Sequence, residues 1–565
     1  MKTHLLLLLG LILCPALNGI AQTCNDASVE ITAQVQTTPP KITLNWVSNS
    51  GATAHIIYRK LKTGTIWVIP IANLGGTITQ YIDSSISAGI YYDYKIQRNG
   101  SAQAYGYINS GIELPALEAR GKLVLLIDST MATPLATKIT RLQNDLEGDG
   151  WKIIRHDISR TAAVTAVKAL IVADYNADPA DVKAVFLFGR IPVPYSGSIY
   201  PDGHPDHEGA WPADVYYAEM NGTWTDVTIN NTVANDPRHH NIPGDGKFDQ
   251  SQLPSDVELQ IGRVDFANMP AFAASEQQLL ENYLDKDHDY RHKVFAATHQ
   301  AVIDDNFGYF SGEAFAATGW KNFSPLVGTA NVTAADYFTS MAGTSYLWSY
   351  GCGGGSYTSA GGIGSTSNFA SSSLQGVFSM LFGSYFGDWD ATDNFLRAPL
   401  AQGTTLTNVW GGRPHWVFTH MAMGEPIGYD ARVSQNNIGL YFASYGGRLI
   451  HNALIGDPTL RNDVVAPVTA VVATASGTNC NIVWTSSPDA TAGYYIYMKN
   501  DTMTDYVRIN NTPVMGNLYT DTCLLYPGVY TYMVRGLKME TSPSGTYYNL
   551  GQGITDTAWN NNNLV

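Results

Sequence analysis

From Lys122 to Gly189 the hydrophobic positions switch between two periods. The runs KLVLLID (Lys122–Asp128), WKIIRHDI (151–158) and VKAVFLFG (Val182–Gly189) are nearly continuous in apolar residues and have the length of strands covered on both faces. Between them, 133–148 places Leu135, Ile139, Leu142 and Leu146 on one face of a helix, and 162–175 reads as a second helix. Strand, helix, strand in that order predicts a parallel sheet with right-handed crossovers. The pattern then stops from Arg190 to Asp256, about 65 residues rich in Pro, Gly and Asp, and a loop that long inside a compact domain is functional or tied down. It resumes with VELQIGRVDF as a strand and 272–290 as a helix. A second α/β half starts at KVFAATHQAVI, contains a helix around 312–317 and two short apolar runs, Ser345–Tyr350 and Val377–Phe382, and closes at HNALIGDPTLR. The predicted centre is an α/β domain of two tandem wound halves, 120–292 and 293–463.

The flanks follow a different rhythm. Residues 29–114 and 466–556 alternate apolar and polar positions with turn residues between, the pattern of small β-sandwiches. They also overlay on each other: Trp46 precedes Asp83 by 37 residues and Tyr94 by 48, and Trp484 precedes Asp521 and Tyr532 by the same intervals. Equal spacings of a buried-strand Trp, a turn Asp and a late-strand Tyr indicate a repeated domain. Both segments resemble fibronectin type III domains, with ITLNW and CNIVW as second strand and YYDYKIQ and YTYMVRG as sixth. That resemblance implies spacers or binding modules and no chemistry.

Composition narrows the setting. A formal charge of −15 without a Lys/Arg cluster excludes a phosphate-tracking surface, so neither nucleic acid nor an anionic membrane is an expected partner. Residues 1–21 combine Lys2, an apolar core from Leu5 to Leu13 and the small-residue end Gly19-Ile20-Ala21, which is a signal peptide too short to span a bilayer. The mature chain is expected to be exported, to the periplasm or the medium, with no membrane insertion. It keeps four cysteines, of which Cys480 and Cys523 share one small domain and are candidates to pair, while Cys352 has no evident partner.

Candidate chemistry gathers where the two short apolar runs end. Seven of the fourteen residues from Gly351 to Gly364 are glycine, a density that lets backbone amides crowd round a bound group. The order of PADVYYAEMNGTW (212–224), an Asp-rich stretch, SDVELQIGRVDF (255–266), a strand ending in a glycine loop, and ALIGDPTLR (453–461) resembles the gingipain family of secreted cysteine peptidases, whose fold is caspase-like. The resemblance spans about 340 residues and implies a dyad: a histidine in Gly-His-Gly at one strand end, a cysteine shortly before Gly-Asp-Phe at the next. Here Gly351-Cys352-Gly353 puts cysteine in the histidine's place, and alignment on Gly387-Asp388-Trp389 puts Ser384 in the cysteine's place. A serine without an imidazole is a poor nucleophile, and a thiol of unperturbed pKa about 8.5 is a poor base at neutral pH. Amides of Gly351, Gly353 and Gly354 remain available as oxyanion donors.

Two functions follow. The first expectation is a degenerate peptidase that keeps the fold as a platform for a peptide, protein or glycan ligand. The alternative is an active exported cysteine-type peptidase with a non-standard pair, using Cys352 or Ser384 with His415 or His420 as base and Asp388 or Asp390 as acid or orienter. Loop aromatics such as Trp348, Tyr350, Tyr357, Trp389, Trp410 and Trp416 suit a peptide cleft or a sugar surface; glycosidase chemistry would need two carboxylates across a cleft, and Asp388 and Asp390 lack a second partner. In the insertion, Asp245, Asp249 and Asp256, with Asp236 and Asn241 nearby and turns at Gly244 and Gly246, form a candidate calcium site. His204, His207, His239 and His240 with a nearby carboxylate are candidate zinc ligands.

Overall fold

The apolar runs of both halves join a single ten-stranded sheet. In the computed structural model, which describes residues 23–561 apart from 523 and 525, its strands are β1 (Gly121–Asp128), β2 (Trp151–Ile158), β3 (Val182–Phe188), β4 (Gln260–Val264), β5 (Ala301–Asp305), β6 (Val332–Ala334), β7 (Tyr346–Cys352), β8 (Gly376–Phe382), β9 (Thr407–Trp410) and β10 (Leu454–Gly456). The signal segment 1–21 and Cys523 lie outside the described residues. Side by side the strands run β6-β5-β7-β8-β9-β10-β4-β3-β1-β2. Every neighbouring pair is parallel except β9 and β10. β10, formed near the end of the second half, crosses back to lie parallel to β4 of the first, and that seam joins the six strands of the second half to the four of the first. No helix among the described residues is long and apolar enough to cross a membrane.

Helices α1 (Ala136–Gly148) and α2 (Val164–Ala177) connect β1, β2 and β3, as the 3.6-residue pattern predicts, and α3 (Glu276–Arg291) follows β4. Every residue of β7 and β8 is buried, which is why neither run shows alternation. The paired register sets Cys352 opposite Phe382, so the two strands end level with each other.

Distant sequence strings meet in the core. Asp214 of DVYYAEMNG receives two hydrogen bonds of 2.7 Å from the guanidinium of Arg263 in the IGRV strand, and Arg263 is fully buried. Asp457 of the terminal GDP accepts from Arg291 on α3 at 2.6 Å. Asp149, just past α1, lies 2.7 Å from Arg461 and within 4 Å of Arg120, Arg291 and Arg535.

The flanks are two-sheet sandwiches, three strands against four at the N-terminus and three against five at the C-terminus. The two share one contact at matching positions: Tyr94 donates to Asp83 at 2.9 Å, and Tyr532 to Asp521 at 2.9 Å. The spacer role implied for them needs correction, because both dock on the α/β domain through buried polar contacts. In the C-terminal sandwich Arg461 bonds Asn549 and Arg535 donates to the Glu118 carbonyl at 3.0 Å. In the N-terminal one Lys62 pairs with Glu425, and the Trp67 indole donates to the Leu440 carbonyl at 2.8 Å.

His420 closes the N-terminal contact. Buried, it bonds Asp430 of its own domain and lies 3.7 Å from Asp93 of the sandwich, beside Tyr91, Glu425 and Lys62. Burial pulls its pKa down, but the Asp430 charge and the hydrogen bonds to both aspartates outweigh it and raise it to about 9. Burial also pushes Asp430 up, while Asp93 is held down at about 2, so Asp93 keeps the settled negative charge. A raised pKa makes the clasp fully stabilising below the ordinary value of 6.5, and it is lost as pH rises through about 9. The free energy of unfolding from urea titrations is therefore expected to fall between pH 6.5 and 9, by up to about 3 kcal/mol, and this slope should vanish in His420→Asn.

Candidate active site

Because β7 and β8 are parallel neighbours ending in register, the residues just beyond them share one edge of the sheet. The glycine-rich segment after β7 folds into a small three-stranded ribbon, 355–365. It lies directly on the loop after β8: a Cβ at Gly355 would come within 2.3 Å of the Ser384 backbone, so only glycine allows this approach. The residue after Ser384, Tyr385, has φ +69°, a left-handed conformation that turns the chain sharply behind the hydroxyl.

The insertion comes to this edge and supplies an imidazole. His204 Nε2 lies 2.8 Å from Ser384 Oγ, and its ring stacks on Tyr385 with centroids 5.7 Å apart. One carboxylate holds both partners: Asp202 accepts the His204 amide at 3.3 Å and the Tyr385 amide at 3.4 Å. Asp202 also bonds His207 Nδ1 at 2.7 Å. The other face of His207 meets the fully buried Asp388, with Nε2 and Oδ2 2.9 Å apart, and Asp388 Oδ1 lies 2.6 Å from His239 Nε2. Burial works against a charged His207, but the two flanking carboxylates raise its pKa to about 9. The histidines prevail over burial at Asp388 too and hold it below the usual carboxylate range. Asp390 is paired with Arg238 and accepts from Tyr195 at 2.6 Å.

No protein-family model matches the chain, and no curated protein sequence does. Among solved structures, the crystal structure of the Arg-specific cysteine proteinase gingipain R matches with TM-score 0.50 and 14% identity, covering 79% of this chain and 99% of that one. The complex of Porphyromonas gingivalis RgpB pro- and mature domains gives TM-score 0.48 and 14% identity over 78% of this chain and 100% of that one. A Fn3-like protein from Clostridium thermocellum matches over 16% of this chain and 92% of its own, with TM-score 0.13 and 20% identity. The fold is gingipain-like. At this identity the likeness establishes the fold alone.

Within this gingipain-like fold the expected residues separate. Ser384 is half-buried at the edge, and its neighbouring imidazole is His204, not His415 or His420. Those two are corrections: His415 is buried 3.6 Å from Glu313, with burial pushing its pKa down, and His420 belongs to the domain contact described above. Cys352 is fully buried and donates to Asp305 at 3.2 Å; burial and then the Asp305 charge push its thiol well up, the opposite of an activated nucleophile. Iodoacetamide is therefore expected to leave Cys352 unmodified in the native protein at pH 7 and to label it only on unfolding, as read by mass spectrometry. Asp388 and Asp390 hold the insertion in place and touch no reacting atom. Gly351 lies inside β7, and the Gly353 amide donates to the Phe382 carbonyl at 3.1 Å; the Gly354 amide has no partner among the described residues.

The remaining expectations are corrected by burial and by turn geometry. Trp348, Trp389, Trp410 and Trp416 are fully buried in the core and line no cleft; Tyr357 and Tyr385 are the half-buried aromatics near Ser384. Asp249 accepts amides from Val227, Thr228 and Ile229, which hold it low despite partial desolvation. Asp245 accepts from Ile242 and Lys247, and Asp256 pairs with Arg448 at the surface. Asp249 and Asp245 each hold their own turn and Asp256 an ion pair, and among the described residues the three do not gather into one group of ligand atoms. Cys480 is buried and forms no disulfide among the described residues, and its candidate partner Cys523 lies outside them. His204 is the residue that sequence reasoning assigned elsewhere, as a metal candidate. Its signal was a histidine in a Pro-Asp-Gly-His turn within a long insertion.

Proposed function

We propose that this chain is a serine-type hydrolase of acyl substrates, peptides foremost, built on the gingipain-like fold, with Ser384 as nucleophile and His204 as general base. The 2.8 Å contact between Ser384 Oγ and His204 Nε2 carries this reading. A hydroxyl becomes a useful nucleophile when a base within hydrogen-bond reach takes its proton, and that is the relation these atoms have. Ser384 Oγ attacks the substrate carbonyl as its proton passes to His204 Nε2. The imidazolium returns that proton to the leaving group, and water then cleaves the acyl-enzyme by the reverse transfer. The unpaired Gly354 amide is the available oxyanion donor on the adjoining ribbon. The opposing reading, a peptidase fold kept as a peptide-binding platform, rested on the absence of an imidazole beside Ser384, and His204 supplies one. The segment 1–21 supports export as the setting.

A fluorophosphonate probe, which reacts with activated serines, is expected to modify the native full-length chain at Ser384 and to leave Ser384→Ala unmodified. No reaction at Ser384 in the folded protein would overturn the hydrolase and leave the binding platform.

A further inference from the structure

Three side chains that the proposed reaction does not use converge beneath the nucleophile loop. His207, His239 and Asp388 are 3%, 0% and 0% exposed, and their ligand-type atoms all lie within 4.8 Å of one another. The contacts are close but incomplete as hydrogen bonds. His207 Nε2, His239 Nδ1 and Asp388 Oδ2 are buried atoms without a hydrogen-bond partner, although His207 Nε2 and Asp388 Oδ2 are 2.9 Å apart. Buried polar atoms are nearly always satisfied, so His207 Nε2 and Asp388 Oδ2, which face each other at 2.9 Å without an aligned hydrogen bond, indicate a missing partner between them.

The surroundings specify that partner as a cation. Asp202 bonds His207 Nδ1 at 2.7 Å, which orients the ring so that Nε2 faces Asp388; a carboxylate behind a histidine in this way is the usual outer support of a metal ligand. His207 sits between the carboxylates of Asp202 and Asp388, and Arg238, 4.0 Å from Asp388, is paired with Asp390, so the cluster carries an excess of negative charge once the imidazoles are neutral. A divalent ion balances it. Two nitrogens and one carboxylate oxygen form a zinc donor set, whereas calcium and magnesium favour all-oxygen sites.

We propose that His207, His239 and Asp388 bind a structural zinc ion that fastens the 190–256 insertion to the nucleophile loop. Zinc–nitrogen and zinc–oxygen bonds of about 2.0–2.1 Å separate tetrahedral neighbours by about 3.3 Å, so the present contacts open by about half an ångström on binding. The imidazole protons facing Asp388 leave to solvent as the metal enters. Two points of the insertion, His207 and His239, become cross-linked to the loop carrying Ser384. The inference holds whether or not Ser384 turns over substrate.

Full-length protein refolded with zinc chloride and dialysed is expected to retain about one zinc per chain by inductively coupled plasma mass spectrometry, with two imidazole ligands in its zinc X-ray absorption spectrum. His239→Gln, which keeps a donor toward Asp388 but ligates poorly, should lose the metal. His239→Cys should keep it and, loaded with cobalt, show a thiolate-to-cobalt charge-transfer band that the wild type lacks. His288→Ala/His292→Ala, which removes the half-exposed pair of histidines on Asp145, should keep the zinc. Wild-type protein without stoichiometric zinc, a zinc spectrum without imidazole, or zinc retained in His239→Gln would each overturn the site. So would zinc lost only with the His288 and His292 pair. The wild-type measurements decide the matter even where a variant fails to fold.

Discussion

Replacing His204 by alanine is expected to slow fluorophosphonate modification of Ser384 by about 10²- to 10⁴-fold, equivalent to about 3–5 kcal/mol of transition-state stabilisation. The reason is local. His204 Nε2 is the ring nitrogen hydrogen-bonded to Ser384 Oγ, and Asp202 fixes both backbones, so removing the ring deletes the proton acceptor and leaves the hydroxyl where it was. The effect should be confined to the rate of the reaction: the variant keeps its unfolding midpoint, since His204 is exposed and buries no core surface. His415→Asn is the control. It removes a buried histidine that faces Glu313 and leaves the labelling rate unchanged. Equal rates in His204→Ala and wild type would show that the Ser384–His204 contact is a resting hydrogen bond without a catalytic role.

The second large effect is on stability. Asp214→Ala is expected to cost about 3–5 kcal/mol in chemical unfolding, because it strands the Arg263 guanidinium in the core. Arg263 is fully buried, its two bonds to Asp214 are both 2.7 Å, and its Nη1 donates to the Ile191 carbonyl at 2.7 Å. With Arg263 fully buried, bulk solvent does not reach the guanidinium to take over from the lost carboxylate. Replacing both partners, as Asp214→Leu with Arg263→Met, removes the charge together with its counter-charge and should cost less than either single change. The damage should also reach the site, since the guanidinium lies 4.7 Å from the ring centre of Trp389, next to Asp388. A drop below about 1 kcal/mol in Asp214→Ala would place the pair among surface-type ion pairs, against its burial.

Much of this architecture follows from local pattern. Runs of four to eight apolar residues have few ways to hide both faces, so the strands of the central sheet and the ends of β7 and β8 were legible from KLVLLID, VKAVFLFG and the two runs before the glycine loop. The equal 37- and 48-residue intervals in the flanks were legible too, and in each sandwich the Tyr 11 residues past the Asp donates to it. The strings DVYYAEMNG, IGRV and GDP stood out in the sequence, while their pairings through Arg263 and Arg291 did not. Loops carry no period. Nothing in the spacing of Asp245, Asp249 and Asp256 tells that neighbouring amides already hold the first two and Arg448 the third, and nothing in the aromatic count tells that four tryptophans fill the core. The candidate site was half legible on the same terms. The sequence by itself determined the strand ends and hence Ser384, because burial acts on residues adjacent along the chain; only the tertiary structure decided its partner, bringing His204 across 180 positions through an insertion held by Asp202, His207 and Asp388, because such contacts depend on how separate segments close on each other.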